Sequence, residues 1–133
     1  MEGFKRVISM NKIVFNIDCL DGAYELKVDW DEKTLHYEIR TNIEYLESKV
    51  GDLDSKEFNE KIEKVNIHKW NLTYRLNDVD IENPVLWKLY YASNKKANYI
   101  EGKEGNWPYT YDEFIDAIML IDDKLETFKA NKK

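Results

Sequence analysis

The chain has 133 residues, the length of a single domain, and 43% of them are hydrophobic, which is enough to build a core without disulfide bridges. Charged residues make up 35% of the sequence and both signs are mixed along it, so the composition excludes an intrinsically disordered chain. The formal net charge of −6, from 26 acidic and 20 basic residues, argues against a nucleic-acid partner, because phosphate recognition needs a surplus of Lys and Arg.

The first strands are predicted from the alternation of apolar and polar residues. We interpret residues 1–12 as a leader or an edge strand, with Met10 as an alternative start, and residues 13–133 as a single domain. Asp21-Gly22 should form a tight turn, because glycine accepts the positive φ of hairpin turns. A period of two with one polar side is typical of an antiparallel meander that has one face in water. Its predicted core positions are Ile13, Phe15, Ile17, Cys19, Tyr24, Leu26, Val28, Trp30, Leu35, Tyr37 and Ile39.

Two helical segments are predicted after this meander. Thr41 and Glu44 have the spacing of a capping box, which predicts a short helix that ends before Gly51. A longer amphipathic helix follows, because apolar residues recur there at spacings of three and four. The apolar positions are Ile43, Leu46 and Val50 in the first helix, and Phe58, Ile62 and Val65 in the second.

Three further strands are predicted in the second half of the chain. Alternation returns from Trp70 to Leu76, and an acidic loop that ends at Pro84 separates this strand from the next. The stretch from Val85 to Ala92 is denser in apolar and aromatic side chains, so we expect a strand that is central or covered on both faces. A short strand that contains Ile100 comes last.

The C-terminal helix is predicted from its first residues and from its periodicity. Thr110 and Glu113 have the spacing of a capping box, and Tyr109 can pack on Phe114 as a hydrophobic staple. We expect one helix from about residue 111 to about residue 128. Its apolar arc is wider than one sheet face needs, so the surplus predicts a homodimer through this helix. The arc contains Tyr111, Phe114, Ile115, Ile118, Met119, Leu120, Ile121, Leu125 and Phe128.

These elements together predict an α+β fold. We expect one domain with an antiparallel sheet of about six strands, in the order βββ-α-βββ-α, and one or two helices packed on one face. The side chains expected on the face in water are Glu25, Lys27, His36, Glu38, Asn71 and Arg75. Those expected beneath the last helix are Leu26, Val28, Tyr37, Leu72 and Tyr74.

The residues that carry enzyme chemistry are few and scattered. The two histidines, His36 and His68, lack the spacing of a metal site, and no serine lies in a nucleophile motif. Cys19 is the only cysteine, which excludes an intramolecular disulfide, and its place in the alternation indicates a core residue. No glycine-rich phosphate loop is present. The sequence therefore predicts no catalytic residue, no metal and no cofactor.

One stretch near the C-terminus is similar to known proteins. Trp87, Tyr99-Ile100-Glu101-Gly102 and Asn106-Trp107-Pro108-Tyr109 are followed by Tyr111-Asp112-Glu113-Phe114-Ile115. Over residues 85–121 this pattern resembles small uncharacterised bacterial proteins with a Trp strand, a Gly/Asn-Pro turn and a closing amphipathic helix. The resemblance implies a strand–loop–helix arrangement and no activity. The richness in Lys, Asn, Ile and Glu is typical of an AT-rich bacterium or of its phage.

Small size, acidity and the lack of catalytic motifs favour a non-enzymatic protein that binds and neutralises a partner. A bacterial toxin-immunity protein or a phage anti-defence protein has these properties. The alternative is a small-ligand-binding or enzymatic domain with a carboxylate-based pocket. No long apolar run occurs in the N-terminal region, so we expect neither a signal peptide nor a membrane span, and a cytoplasmic location.

Two loops are predicted to form the binding site for a basic partner protein. Trp107 and Tyr109 lie between a strand and a helix, and exposed aromatic side chains often anchor interfaces. Asp78, Asp80 and Glu82 alternate in the acidic loop before Pro84 and would attract positive charge. This loop lacks the central glycine and the spacing of an EF-hand, so we expect a solvated loop and no cation site.

Overall fold

The computed structural model describes residues 10–74, 82, 84–93 and 96–130. The first strand begins at Met10, so residues 10–12 of the predicted leader belong to it, and the rest of that leader lies outside the described residues. The strands are β1 (Met10–Cys19), β2 (Gly22–Trp30), β3 (Thr34–Thr41), β4 (Lys49–Asp54), β5 (Thr73–Tyr74), β6 (Leu86–Ser93) and β7 (Ala97–Lys103). The helices are α1 (Ser55–Val65) and α2 (Tyr111–Ile118), with 3-10 helices at Ile67–Lys69 and Asp123–Phe128.

Within the described residues, seven strands form one sheet in the order β4-β3-β2-β1-β6-β7-β5. Neighbouring strands are antiparallel except β5 and β7, which run parallel. The predicted α+β class is confirmed, whereas the sheet is mixed and the sequence predicts an antiparallel one of about six strands. β6 lies between β1 and β7, in the interior of the sheet.

The helices cover one face of the sheet. Phe15 of β1 contacts Phe114 of α2 with ring centroids 5.0 Å apart, and Trp30 of β2 contacts Phe58 of α1 at 5.6 Å. Burying a large apolar side chain of this kind contributes about 1.5 to 3 kcal/mol. The buried sheet residues are Ile13, Phe15, Ile17, Tyr24, Leu26, Val28, Leu35, Ile39, Trp87, Leu89, Tyr91 and Ile100.

The opposite face, here called the open face, carries charged side chains in cross-strand pairs. Lys12 lies opposite Asp29, and Lys27 lies opposite Glu38. Opposite charges at such positions stabilise a sheet by a few tenths of a kcal/mol up to about 1 kcal/mol each. The polar alternation of the meander is therefore confirmed.

The segment before β5 departs from the predicted strand at 70–76. It forms a 3-10 turn and then only two strand residues, and residues 75 and 76 lie outside the described part of the chain. Leu72 is 54% exposed, so its predicted place in the core is wrong. Its carbonyl accepts a hydrogen bond from the Glu101 N–H at 3.2 Å, which ties the backbone to β7 and leaves the side chain in water. Tyr37 and Tyr74 are half-buried, and Leu26 and Val28 are fully buried as predicted.

The helix predicted after Thr41 is wrong, because the chain forms a loop and then β4. Ile43 and Leu46 are buried in the loop, which satisfies their apolar spacing without a helix. The Ser48 hydroxyl accepts the Thr41 N–H at 3.1 Å and closes the connection. Val50 is 71% exposed on β4, which pairs with β3 over its whole length.

α1 forms where the sequence predicts it, and its apolar stripe is buried as expected. The Asp54 carboxylate accepts the Lys56 N–H at 2.8 Å and caps the first turn. The helix ends at Asn66, whose φ of 55° lies in the left-handed region that asparagine tolerates. The buried positions are Ser55, Phe58, Ile62 and Val65.

α2 begins at Tyr111 as predicted, but it ends at Ile118 and not near residue 128. A turn follows, and then the second 3-10 helix, which Asp122 caps by accepting the Lys124 N–H at 3.0 Å. The Tyr111 hydroxyl donates to the Phe128 carbonyl at 3.0 Å. A straight α-helix would place these two residues about 25 Å apart, so this contact requires the bend.

The apolar surplus that predicts a dimer is mostly consumed within the chain. Ile115 and Ile118 of α2 are fully buried, and Ile121 is 6% exposed. Met119 and Leu120 remain half-buried. The predicted homodimer would therefore have to form on these two side chains. Among the described helices, none is long and apolar enough to cross a membrane.

Candidate partner-binding site

Val85, which follows the predicted acidic loop in the chain, lies at the same end of the sheet as the segment that leads to Trp107. Leu86, the first residue of β6, pairs with Lys103, the last residue of β7, so β6 begins where β7 ends. The Val85 N–H donates to the Glu104 carboxylate at 2.9 Å, and the Glu104 N–H donates to the Val85 carbonyl at 2.7 Å. Glu82 is exposed, whereas Asp78 and Asp80 lie outside the described residues.

Trp107 packs on the core and keeps part of its ring at the surface. Its ring is stacked on Trp87, with centroids 6.1 Å apart and planes 11° apart, and lies 4.3 Å from the ring of Tyr111. The side chain is half-buried as a result. Replacing Trp107 with Ala would therefore remove core contacts as well as any surface anchor, so this substitution alone cannot isolate a binding role.

Trp87 can lie flat against β7 because Gly102 is opposite it in the β6–β7 pair. A Cβ atom on residue 102 would overlap the Trp87 indole atoms Cε2, Cζ2 and Nε1, because it would lie much closer to them than van der Waals contact allows. The glycine thus makes room for the ring on which Trp107 stacks. This fixes the position of the whole segment between β7 and α2.

Tyr109 is the most exposed large hydrophobic side chain of the described residues, with 98% of its surface accessible. Phe114 is fully buried against Phe15 and Trp70, so the predicted staple between Tyr109 and Phe114 is wrong. The residue before Tyr109 is a buried proline, Pro108. The tyrosine ring is therefore exposed to water, although the residue that precedes it is buried.

Thr110 occupies the N-cap position of α2, but its hydroxyl makes no capping bond, so the predicted capping box is wrong. The hydroxyl donates to the Val65 carbonyl at 2.6 Å and accepts the Trp70 Nε1–H at 2.9 Å. The hydroxyl is thereby used to join the end of α1, the first 3-10 turn and the start of α2. This junction fixes the backbone immediately after Tyr109.

Acidic residues flank Tyr109 in the chain. Asp112 and Glu113 lie in the first turn of α2, where the helix dipole favours negative charge, and Glu104 lies near the end of β7. The Asp112 carboxylate also accepts the Ala130 N–H at 2.7 Å. An exposed aromatic ring with carboxylates close to it in the chain is suited to a basic partner.

A pair of tyrosines that no sequence motif marks as a site lies on the open face. Tyr90 of β6 pairs with Tyr99 of β7, with ring centroids 5.8 Å apart, and Tyr99 is 61% exposed. The available signal is that both tyrosines fall on the polar alternate positions of their strands. This pair provides a matched comparison for Tyr109.

Among the described residues, no group of three or more His, Cys, Asp or Glu side chains has the geometry to hold a metal ion. Comparisons of the chain with protein-family models, with curated proteins and with solved structures find no match.

The pKa values of the two histidines should be shifted in opposite directions. His36 Nδ1 lies 2.7 Å from an Asp52 carboxylate oxygen, and this hydrogen bond, with a smaller contribution from Asp31, raises the pKa of His36. Burial, followed by the charges of Lys69 and Lys96, lowers the pKa of His68. We expect NMR titration of the imidazole protons to give a pKa above 6.5 for His36 and below 6.5 for His68.

The consequences for stability also have opposite signs. The folded chain holds the His36 proton more tightly than the unfolded chain, so its contribution is present below pH 6.5 and is lost as the pH rises through the folded pKa. The His68 contribution is present above pH 6.5 and is lost as the pH falls through the folded pKa. Asp52→Asn should lower the pKa of His36 and leave that of His68 unchanged. Equal pKa values for both histidines would contradict this geometry.

Proposed function

We propose that the chain is a non-enzymatic protein-binding domain that blocks or neutralises a partner protein, as toxin-immunity and phage anti-defence proteins do. The observation that carries the proposal is Tyr109, a ring almost wholly in water on a packed backbone. Exposing an aromatic side chain forgoes the free energy of burying it, and this is recovered when a partner covers the ring. Tyrosine is also among the residues that most often dominate binding energy.

The fixed backbone favours tight binding. Association loses free energy whenever a side chain or loop must be ordered, so an anchor that is already fixed loses less. The carboxylates that flank Tyr109 in the chain would steer a basic partner and speed the encounter, in keeping with the net charge of −6. The partner class that fits this surface is a protein with a basic patch around an apolar pocket.

Tyr109→Ala tests the proposal. We expect the affinity for the partner, identified by pull-down from the host and measured by calorimetry, to fall by about 2 kcal/mol, or roughly 30-fold. The melting temperature should stay within about 1 °C, because Tyr109 is exposed and makes few contacts. Tyr99→Ala, which removes an exposed tyrosine from the open face, is the matched control and should leave the affinity unchanged.

The acidic residues should act on the association rate. Glu82→Gln combined with Glu113→Gln removes two exposed charges, and we expect slower association with an effect that shrinks as salt is added. Asp78→Asn and Asp80→Asn are proposed to act in the same way. Loss of affinity in Tyr99→Ala but not in Tyr109→Ala would place the interface on the open face and contradict the proposal.

A further inference from the structure

In the part of the chain that the structure describes, β4 is an edge strand with a free side. It stands first in the sheet order and, among the described residues, pairs with β3 alone. Proteins usually protect such edges with prolines, bulges, very short strands or charged side chains. The opposite edge is β5, which has two residues, but β4 has six, contains no proline and pairs with β3 in continuous register. β4 is therefore able to accept another strand.

The hydrogen bonding of β3 and β4 shows which backbone groups face outward. The Ser55 N–H donates to the Lys33 carbonyl at 3.0 Å, and this pair continues the register of the two strands by one residue. Because hydrogen-bonded and non-bonded pairs alternate in antiparallel strands, Leu53 and every second residue before it bond to β3. Val50 and Asp52 consequently direct their N–H and C=O groups away from the sheet.

A groove of about 470 Å³ lies beside β4 on the helix side of the sheet. Leu53 lies opposite the buried Leu35, so its side chain is on the face of the sheet that the helices cover. Together with Phe58 and Leu120 it forms the apolar part of the groove. A strand added to β4 would direct alternate side chains toward the groove. The charged lining residues are Asp54, Lys56, Glu57 and Glu60.

The charges of this region select the occupant. Three carboxylates and one ammonium group line the groove, which suits a Lys or Arg whose aliphatic stem rests on the apolar part while its charge meets the carboxylates. Lys49, the basic residue of β4, is paired with Asp122 at 3.5 Å. A second copy of β4 fits poorly, because antiparallel self-pairing over residues 50–54 would place Asp52 opposite Asp52 of the other copy, and like charges at such positions are destabilising.

We propose that β4 binds an extended basic segment of the partner protein by strand addition, with one Lys or Arg side chain in the groove. This inference rests on the proposed function and adds the recognition mode to it. In this mode the backbone hydrogen bonds of Val50 and Asp52 supply affinity, and the groove supplies selectivity for basic sequences.

The probe is a labelled octapeptide that alternates Lys and Val, with binding followed by fluorescence anisotropy and amide hydrogen exchange. We expect the Val50 and Asp52 amides to exchange at least about tenfold more slowly when the peptide is bound, because they then donate hydrogen bonds to the peptide backbone. The same peptide N-methylated at alternate residues, and a Glu-Val peptide, should each bind about tenfold more weakly or worse.

Val50→Pro is the decisive variant. Proline removes the outward N–H without removing a bond to β3, so the fold should survive while peptide affinity falls about tenfold. Val50→Thr keeps the N–H and is the matched control. Glu57→Gln with Glu60→Gln should also weaken binding about tenfold, and it tests the groove even if the proline variant does not fold.

The outcomes separate this inference from the proposed function. Peptide binding that is unchanged by N-methylation, by Val50→Pro and by the Glu57/Glu60 variant would overturn strand addition, as would no binding. So would a partner protein whose affinity falls with Tyr109→Ala but not with Val50→Pro, and that result would leave the proposed function standing. Tyr109→Ala should not change peptide binding, because the peptide occupies β4.

Discussion

Replacing Gly102 with alanine is expected to lower the free energy of unfolding by about 3 kcal/mol, the upper part of the range for overpacked cores. The added Cβ would collide with the Trp87 indole, which is 1% exposed. That ring cannot move aside, because the rings of Trp70 and Trp107 pack on it, with centroids 6.2 and 6.1 Å from its own. Denaturant unfolding followed by tryptophan fluorescence measures the change.

Trp87→Phe provides the compensating control. The smaller ring removes atoms near the new Cβ, so Gly102→Ala should cost less in the Trp87→Phe background than in the natural chain. Such coupling between contacting residues is commonly 0.5 to about 3 kcal/mol. Additive effects of the two substitutions, or a loss below about 1 kcal/mol for Gly102→Ala alone, would contradict the observed packing.

The parts of the fold that the sequence predicts are those governed by local periodicity. The alternation from Ile13 to Ile39 predicts three strands, and the stripe Phe58, Ile62, Val65 predicts α1, because each pattern has one buried face and one wet face. The structure confirms both. Neither pattern needs information about distant parts of the chain.

The failures arise where distant contacts decide the structure. Ile43, Leu46 and Val50 have helical spacing, but pairing with β3 makes a strand of the residues from Lys49 onward. The apolar run after Ile118 also continues a helical pattern. The bend there is set by the contact between Tyr111 and Phe128, and the ring of Phe128 lies 4.9 Å from that of Tyr24 in β2.

In the candidate site, too, local features could be predicted from the sequence and features that depend on distant contacts could not. The aromatic segment around Trp107 is visible in the sequence, which predicts a strand–loop–helix connection there. The sequence does not show that Trp107 packs on the core while Tyr109 is exposed, because the burial of Trp107 depends on Trp87 and Gly102 in two different strands. The sequence also does not reveal that β4 is an edge strand, because β4 forms only through its long-range pairing with β3.

The two proposed contact regions are far apart. β4 and β7 are separated by five strand steps in the sheet, which at 4.8 Å per step is about 24 Å. Tyr109 follows β7 in the chain, so a partner that covers both regions needs a contact surface of about that length. Interfaces of standard size, burying about 800 Å² on each partner, extend over such distances.

Thr110→Val is expected to lower the free energy of unfolding by about 2 to 4 kcal/mol. Valine keeps the shape of threonine but loses the hydroxyl, which leaves the Val65 carbonyl and the Trp70 Nε1–H without their partner. Each polar group left unpaired in a partly buried site costs about 1 to 3 kcal/mol. Thermal and denaturant unfolding measure the loss, and Thr110→Ser, which keeps the hydroxyl, should recover most of it.

Glu113→Ala distinguishes this junction from a capping box. In a capping box the Glu113 side chain would bond the N-cap backbone, and its loss would cost about 0.5 to 2 kcal/mol, as the loss of helix caps does. The structure leaves Glu113 exposed and gives Thr110 no capping bond, so Glu113→Ala should change stability by less than about 0.5 kcal/mol. If Glu113→Ala and Thr110→Val cost the same, the hydroxyl acts as a cap and the long-range junction between α1, Trp70 and α2 is not what holds Tyr109 in place.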